Sequence, residues 1–393
     1  MREVAIVAAG RTAIGGFGGS LASLSVVELG IQCAQGMLNK ADIPVEIIDE
    51  VIIGNVLGAG NGQNIARQIQ IGLGIPAKKT AFTVNKVCGA SLKTIALAAQ
   101  AIMCGDKDVV LAGGCESMSN AAYIQLKTRW GARLGDAETK DLILSDGLTD
   151  AFSDIHMGIT AENLAEKYQI SREQQDEFAL TSQLKAAQAI QDGKFNEEII
   201  PVLIKDRKGE KLFVVDEHPR AATIDKLAGL KPAFKKNGSV TAGNASGIND
   251  GAAMVLLMPL ELALANGYTP LAILKSTASA GVEPELMGFG PVPATIMALE
   301  KAKLQQKDIN LVEFNEAFAA QALSVSQQFA FPPEIINVNG GAIALGHPIA
   351  ASGARILVTL LFELKRRKQR YGLASLCIGG GMGITAIIEN YNG

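Results

Sequence analysis

Apolar residues along this chain recur with two periods, and the switches between them mark out its elements. Short apolar runs at 4–9, 51–56, 80–84 and 108–114 read as strands. Between them, 26–39, 64–72 and 92–103 place apolar residues at helical spacing; in the last of these Leu92, Ile95, Ala96, Ala99 and Ile102 recur with no Gly or Pro inside. Residues 11–20 read as a glycine-rich turn. Such alternation of strand and helix predicts an α/β fold whose mixed or parallel sheet is covered on both faces.

The pattern changes from about Met118 to Gly243, where charged amphipathic segments take over. One opens with Ser171-Arg172-Glu173-Gln174, a capping box, and runs as a long helix that stops at Gly193. This stretch reads as an excursion from the sheet. A buried strand follows at 252–258, and the rest of the chain repeats the first part. Strands are expected at 271–278, 311–315, 335–339 and 374–378, and helices at 293–302, 318–328 and 354–364. "CGASLKTIALAAQ…VVLAGGCES" and "AASGARILVTLLF…SLCIGGGMG" share one order: small-residue turn, apolar helix, buried strand, glycines. Two halves of one fold follow. The expected division is 1–117 with 244–268, an inserted 118–243, and 269–393.

Composition narrows the function. With 393 residues, 48% of them apolar, the chain can bury a large core. A net charge of −3 gives no field for nucleic acid or an anionic membrane. The basic run Lys365-Arg366-Arg367-Lys368 follows an apolar helix and reads as its solvated C-terminus. No apolar run approaches 18 residues, so no membrane span is expected, and the first residues lack the pattern of a signal peptide. Five cysteines, odd in number and without CxxC spacing, argue for a reducing compartment, the cytoplasm, and against a zinc site.

Four stretches carry candidate chemistry. Cys88 sits in Asn85-Lys86-Val87-Cys88-Gly89-Ala90-Ser91, where a strand feeds a helix, and the helix dipole there is expected to favour its thiolate. Taken alone, a cysteine so placed is as well read as a small buried residue. His347, hemmed by glycines and Pro348, holds roughly the corresponding turn of the second half. If a pseudo-twofold axis relates the halves, the two turns face each other and the imidazole can deprotonate the thiol. Asn315 stands at a strand's C-terminal end, where α/β folds bind ligands, though Asn there is also an ordinary helix cap. Cys377 ends the last core strand before three glycines.

Together "NKVCG", "NEAFAAQ" at 315–321, "GGAIALGHP" at 340–348 and "CIGGGMG" at 377–383 resemble the thiolases, in the acetyl-CoA acetyltransferase branch, over essentially the whole chain. The resemblance implies the thiolase fold: two similar half-domains with mixed sheets covered by helices, plus an inserted loop domain, assembled as a homotetramer or dimer. It implies that Cys88 is the acylated nucleophile and His347 the base that activates it and later lines an oxyanion hole. Asn315 would hold a water in that hole. Cys377 would move a proton to or from the substrate α-carbon, and Gly379 with the Cys88 N–H would form a second oxyanion hole. The chemistry fits this set. A thiolate exchanges with a thioester without loss of acyl energy, and an enolate needs both a matched base and preorganised donors.

For coenzyme A the resemblance points to His156 and Met157, the short-chain pattern beside the pantetheine, and to Ser246 on the pantetheine amide. It also points to Arg220 at the nucleotide end, and to Met287 with Phe289 as the acyl-end wall. His156 otherwise reads as a helix-start residue before Thr160. No tightly bound cofactor and no metal is implied. The expected reaction joins two acetyl-CoA into acetoacetyl-CoA and CoA. Two alternatives are a degradative 3-ketoacyl-CoA thiolase of broader chain length and a non-catalytic acyl-CoA or lipid-binding relative. The chain departs from the family at Ala350, where Gly is usual, in "CGAS" where "CGSG" is commoner, and in a 220–232 segment one residue shorter. Since both sulfurs must approach one small carbon, a reversible Cys88–Cys377 disulfide is a further expectation.

Overall fold

The computed structural model describes residues 2–206 and 209–391. Its centre is one eleven-stranded mixed sheet built from two half-sheets. The first half contributes β1 (Val4–Thr12), β2 (Glu50–Gly54), β3 (Thr80–Val84) and β4 (Val110–Ser117). After the hairpin β5 (Val202–Asp206) and β6 (Gly209–Phe213) comes β7 (Asn249–Pro259). The second half contributes β8 (Ala272–Gly281), β9 (Leu311–Phe314), β10 (Tyr371–Ile378) and β11 (Met382–Asn390). The strand order is β9-β10-β11-β8-β1-β7-β4-β2-β3, so each half runs outward from the central β1–β8 pair in matching order. That pair is short, with Ala5 opposite Ile273 and Ile6 opposite Ala272.

The period-two pattern explains how this sheet is covered. On β2, Val51 and Ile53 face α1 (Val26–Lys40) and α2 (Ile65–Gly72), whereas Ile52 faces the other way. There it meets α3 (Ala90–Cys104) and α8 (Ser352–Arg367), which lie side by side between the half-sheets. Leu92, Ile95 and Ile102 of α3 and Ile356, Leu360 and Leu364 of α8 are fully buried there. On the far face of the second half, α6 (Pro291–Ala302) and α7 (Ala319–Ser326) cover Val312, Phe314, Leu373 and Ile387. Residues 87–104 reach the length and apolarity of a membrane span, contrary to the sequence expectation, but this segment is the α3 core helix. Between the halves run α4 (Met157–Lys167) and α5 (Arg172–Gln191), the latter opened by the Ser171–Gln174 capping box. Within the inserted stretch, Ile199–Ile200 pairs with β1, and Val202, Ile204 and Phe213 pack into the first half's core.

Three expectations change. The strand expected at 335–339 is a single parallel bridge, Val312 to Ile336. Asn337 turns to φ +44° and uses its side chain as a substitute strand, accepting from the Phe314 N–H and donating to the Phe314 carbonyl, both at 2.9 Å. The 11–20 stretch is not all turn: β1 continues to Thr12, and Gly15–Gly16 pairs with β7. The chain after the glycine triplet, unassigned from sequence, returns as β11 beside β10.

Candidate active site

The nucleophile turn joins β3 to α3. Asn85 Oδ1 accepts the Val87 N–H at 3.0 Å, an Asx turn that forces Val87 to φ +45°. A β-branched residue in that region is strained, by about 1–3 kcal/mol, and the strain sits one residue before Cys88. Gly89 is required next: a Cβ there would lie 2.4 Å from Ile378 Cδ1. This close approach seats the Cys88 turn on the end of β10, beside Cys377 and Gly379. The Gly379 and Cys88 backbone N–H groups lie near enough to the Cys88 sulfur to favour its charged form, as an oxyanion hole made of these two amides requires. Burial nevertheless pushes the Cys88 thiol up to about 11, so the expected thiolate stabilisation by the helix end is overridden by desolvation.

His347 lies on the second half's matching turn, buried, with its backbone N–H donated to Asn249 Oδ1 at 2.9 Å. Its Nδ1 is 2.5 Å from Ser352 Oγ, and Ser352 donates to the Pro348 carbonyl at 2.9 Å. With the hydroxyl proton assigned to that carbonyl, Nδ1–H donates to Ser352 Oγ and Nε2 holds the lone pair, the tautomer in which His347 is a base. Among the described residues Nε2 has no partner, and neither has either side-chain polar atom of Asn315, which is fully buried after β9. Buried polar atoms without partners are rare, and two such groups mark a place for a ligand or water. Cys88 makes no hydrogen bond to His347 here; the thiol packs instead in a cluster with Ile349 and Ala350, two and three residues further on. Burial, then the Arg355 charge, lowers His347 to about 4, so it is neutral and able to accept a proton.

Cys377 is fully buried on the opposite face of β10 from Leu376 and Ile378. It packs with Met157, Met287, Ala317 and Phe318. Desolvation and the neighbouring Cys88 raise its thiol well above the usual range. Both cysteines are free thiols. Burial raises both thiols, and a thiol is oxidised less readily than a thiolate, so the packing does not favour the expected Cys88–Cys377 disulfide. Of the two residues expected to wall the acyl end, Met287 packs in the Cys377 cluster. Phe289 does not: it stacks on Tyr168 at 5.2 Å and packs into the outer core of the second half.

The remaining expected residues lead outward from this cluster. His156 caps α4, its Nδ1 accepting the Gly158 N–H at 3.0 Å, and so is the helix-start residue. Its ring stacks on Phe234 at 4.7 Å, and Phe234 meets Phe318 edge-on at 6.1 Å. Ser246 follows the Ala245–Phe318 bridge, with its N–H on the Ala317 carbonyl at 3.0 Å. Next to it Gly247 and Ile248 line a cleft of about 380 Å³ together with His218 and the exposed Arg220.

Sequence reading missed the residues that hold the turns. Ser352, Asn249 and Glu116 carry none of the cues of chemistry, since their role is visible only in who they bond. Glu116 is fully buried and accepts the N–H groups of Val56, Leu57 and Ala350, tying the first half to the His347 turn. At Ser91, the departure from "CGSG", the side chain reaches across instead: Oγ accepts the Ala354 N–H at 2.9 Å.

Comparison with known proteins agrees with this geometry. Residues 4–261 match the family described as "Thiolase, N-terminal domain" and residues 268–390 match "Thiolase, C-terminal domain". The chain is 56% identical over 391 residues to an acetyl-CoA acetyltransferase of Cupriavidus necator, covering 99% of this chain and 100% of that one. It is also 56% identical to one of Escherichia coli (strain K12), with full coverage of both. Among solved structures, the Bacillus anthracis acetyl-CoA acetyltransferase superposes with a TM-score of 0.97 at 46% identity, covering 99% of each chain. The human mitochondrial 3-ketoacyl-CoA thiolase gives 0.96 at 43% identity, again covering 99% of each. Family match, fold and the four motif turns agree, and the chain belongs to the thiolase family.

Proposed function

We propose that this protein is an acetyl-CoA C-acetyltransferase, which condenses two acetyl-CoA to acetoacetyl-CoA and CoA, reversibly, through an acetyl-cysteine. The observations that carry the reading are Cys88 beside Gly379 and Cys377, and the buried His347 Nε2 and Asn315 amide that lack partners among the described residues. The naming of relatives at 52–56% identity supports it.

In the proposed cycle His347 Nε2 takes the Cys88 proton as sulfur attacks the first thioester. The tetrahedral oxyanion is held by the Cys88 and Gly379 N–H groups. Cys377, a thiol at rest, gives its proton to the departing CoA sulfur and becomes the thiolate. That thiolate removes an α-proton from the second acetyl-CoA, whose enolate oxygen meets the His347 Nε2–H and a water on Asn315. The enolate carbon attacks acetyl-Cys88, and the released thiolate recovers its proton from His347. CoA is substrate and product; no tightly bound cofactor or metal has a role. His156, Met157, Ser246 and Arg220 are proposed to line the CoA path, and residues 118–243 to form its loop domain.

The apolar packing of Met157 and Met287 around Cys377 favours short chains over a broad-range thiolase. Thiolysis rates with acetoacetyl-CoA and a long-chain 3-ketoacyl-CoA test this; equal kcat/KM for both would contradict it. A cytoplasmic setting is supported by five free cysteines. A homotetramer, or a dimer, is supported by the edge strand β3 and by the exposed Trp130 and Leu134. Light scattering that finds a monomer would contradict the assembly.

A further inference from the structure

A second cleft, of about 340 Å³, lies between α5, α7 and residues 331–337, and the proposed reaction makes no use of it. Phe178, Leu323, Phe331, Pro333 and Ile336 form its apolar walls. Lys185 is the cation on this lining; it is half-buried, its Nζ donates to the Ile336 carbonyl at 3.0 Å, and among the described residues no carboxylate lies within ion-pair distance of it. An ammonium has three donors, so this one keeps two to spare. Apolar walls of this size with a few polar groups, here the Lys185 ammonium and the Glu316 carboxyl held by Ser182 and Asn337, are the usual make-up of a small-molecule site.

The polar wall of the cleft is a buried node. Ser182 Oγ donates to Glu316 Oε2 at 2.7 Å, and Asn337 Nδ2 donates to Glu316 Oε1 at 2.8 Å. Glu316 directly follows Asn315 and also accepts the Ile343 N–H at 3.2 Å, while Ser182 Oγ accepts the Gly341 N–H at 3.0 Å. The node therefore carries Asn315 on one side and the turn leading to His347 on the other.

We propose that this cleft binds a small apolar carboxylate, its chain against the phenylalanines and its carboxylate on Lys185, at a site separate from the catalytic pocket. Octanoate is the probe. Calorimetric titration of the full-length protein, with CoA saturating so that the catalytic pocket is filled, is expected to show one octanoate per chain, with octanol binding at least tenfold more weakly. Lys185→Met and the cleft-filling Ser326→Trp are each expected to weaken octanoate at least tenfold while keeping wild-type melting temperature and acetoacetyl-CoA thiolysis. Absence of binding to wild type at millimolar octanoate would overturn the proposal, and so would octanol binding as tightly as octanoate. Octanoate that CoA displaces, or that both variants bind like wild type, sits in the catalytic pocket and overturns it equally. Should one variant fail to fold, the other variant and the wild-type comparison of octanoate with octanol still decide.

Discussion

His347 Nδ1 and Ser352 Oγ stand 2.5 Å apart, and the serine's proton is already committed to the Pro348 carbonyl. With that assignment Nδ1–H donates to the serine, and the lone pair that a base needs is on Nε2. Ser352→Ala removes the anchor, frees the ring and lets the wrong tautomer form. The loss is expected to be roughly 10–100-fold in kcat/KM for thiolysis, the worth of one hydrogen bond to a group that becomes charged. Ser352→Thr, which keeps the hydroxyl, should retain more activity than the alanine variant; equal activity of the two would separate Ser352 from catalysis.

His347 makes stability depend on pH, and His218, which burial also lowers to about 4, adds to it in the same sense. The His347 pKa in the folded protein is lowered from 6.5 to about 4, so between those values the unfolded chain binds the extra proton. The stability involved is present in full above about pH 6.5 and is lost as pH falls toward 4. The shift corresponds to about 3 kcal/mol. Urea titrations from pH 7 to 4 should show a shallower decline for His347→Gln than for wild type. Parallel declines would place the acid sensitivity elsewhere.

Ser91 acts in trans on the second half. Helix α8 has no side-chain cap of its own at Ala351, and the Ser91 hydroxyl supplies an acceptor for its Ala354 N–H. Ser91→Ala leaves that buried amide without a partner, at a cost of about 1–2 kcal/mol. A lowered midpoint in urea with an unchanged slope is expected. An unchanged midpoint would show that the amide is satisfied in another way.

Chain-length control is predicted to rest with Met287 rather than Phe289. Met287 is buried with Cys377, whereas Phe289 is turned onto Tyr168. Met287→Ala should raise kcat/KM for a five- or six-carbon 3-ketoacyl-CoA relative to acetoacetyl-CoA, by at most roughly 1–3 kcal/mol per methylene. Phe289→Ala should leave that ratio unchanged; the reverse result would return the wall to Phe289.

How much of this was legible beforehand depended on the range of the cause. The α3 and α8 helices and the strands β2 to β4 could be read because their burial is written in local periodicity. The candidate turns at Cys88, His347 and Cys377 could be read because glycines or a proline bound them, and Asn315 because it stands at the end of a strand. What could not be read depends on partners far along the chain. The 335–339 strand is replaced by one side chain, Asn337, pairing with Phe314. The cysteine pKa values follow desolvation by packed halves, which a helix-end argument at Cys88 cannot register. Ser352, Asn249 and Glu116 look like ordinary polar residues until the halves close on them.

The division of labour between the two cysteines is the claim on which the mechanism stands. It is tested by intact-protein mass spectrometry and peptide mapping after incubation with acetyl-CoA. Wild type and Cys377→Ala are predicted to carry one acetyl group on Cys88, the variant acquiring it more slowly and forming no acetoacetyl-CoA. Cys88→Ala is predicted to carry none. An acetylated Cys88→Ala protein, or acetoacetyl-CoA formation by Cys377→Ala at the wild-type rate, would contradict the account.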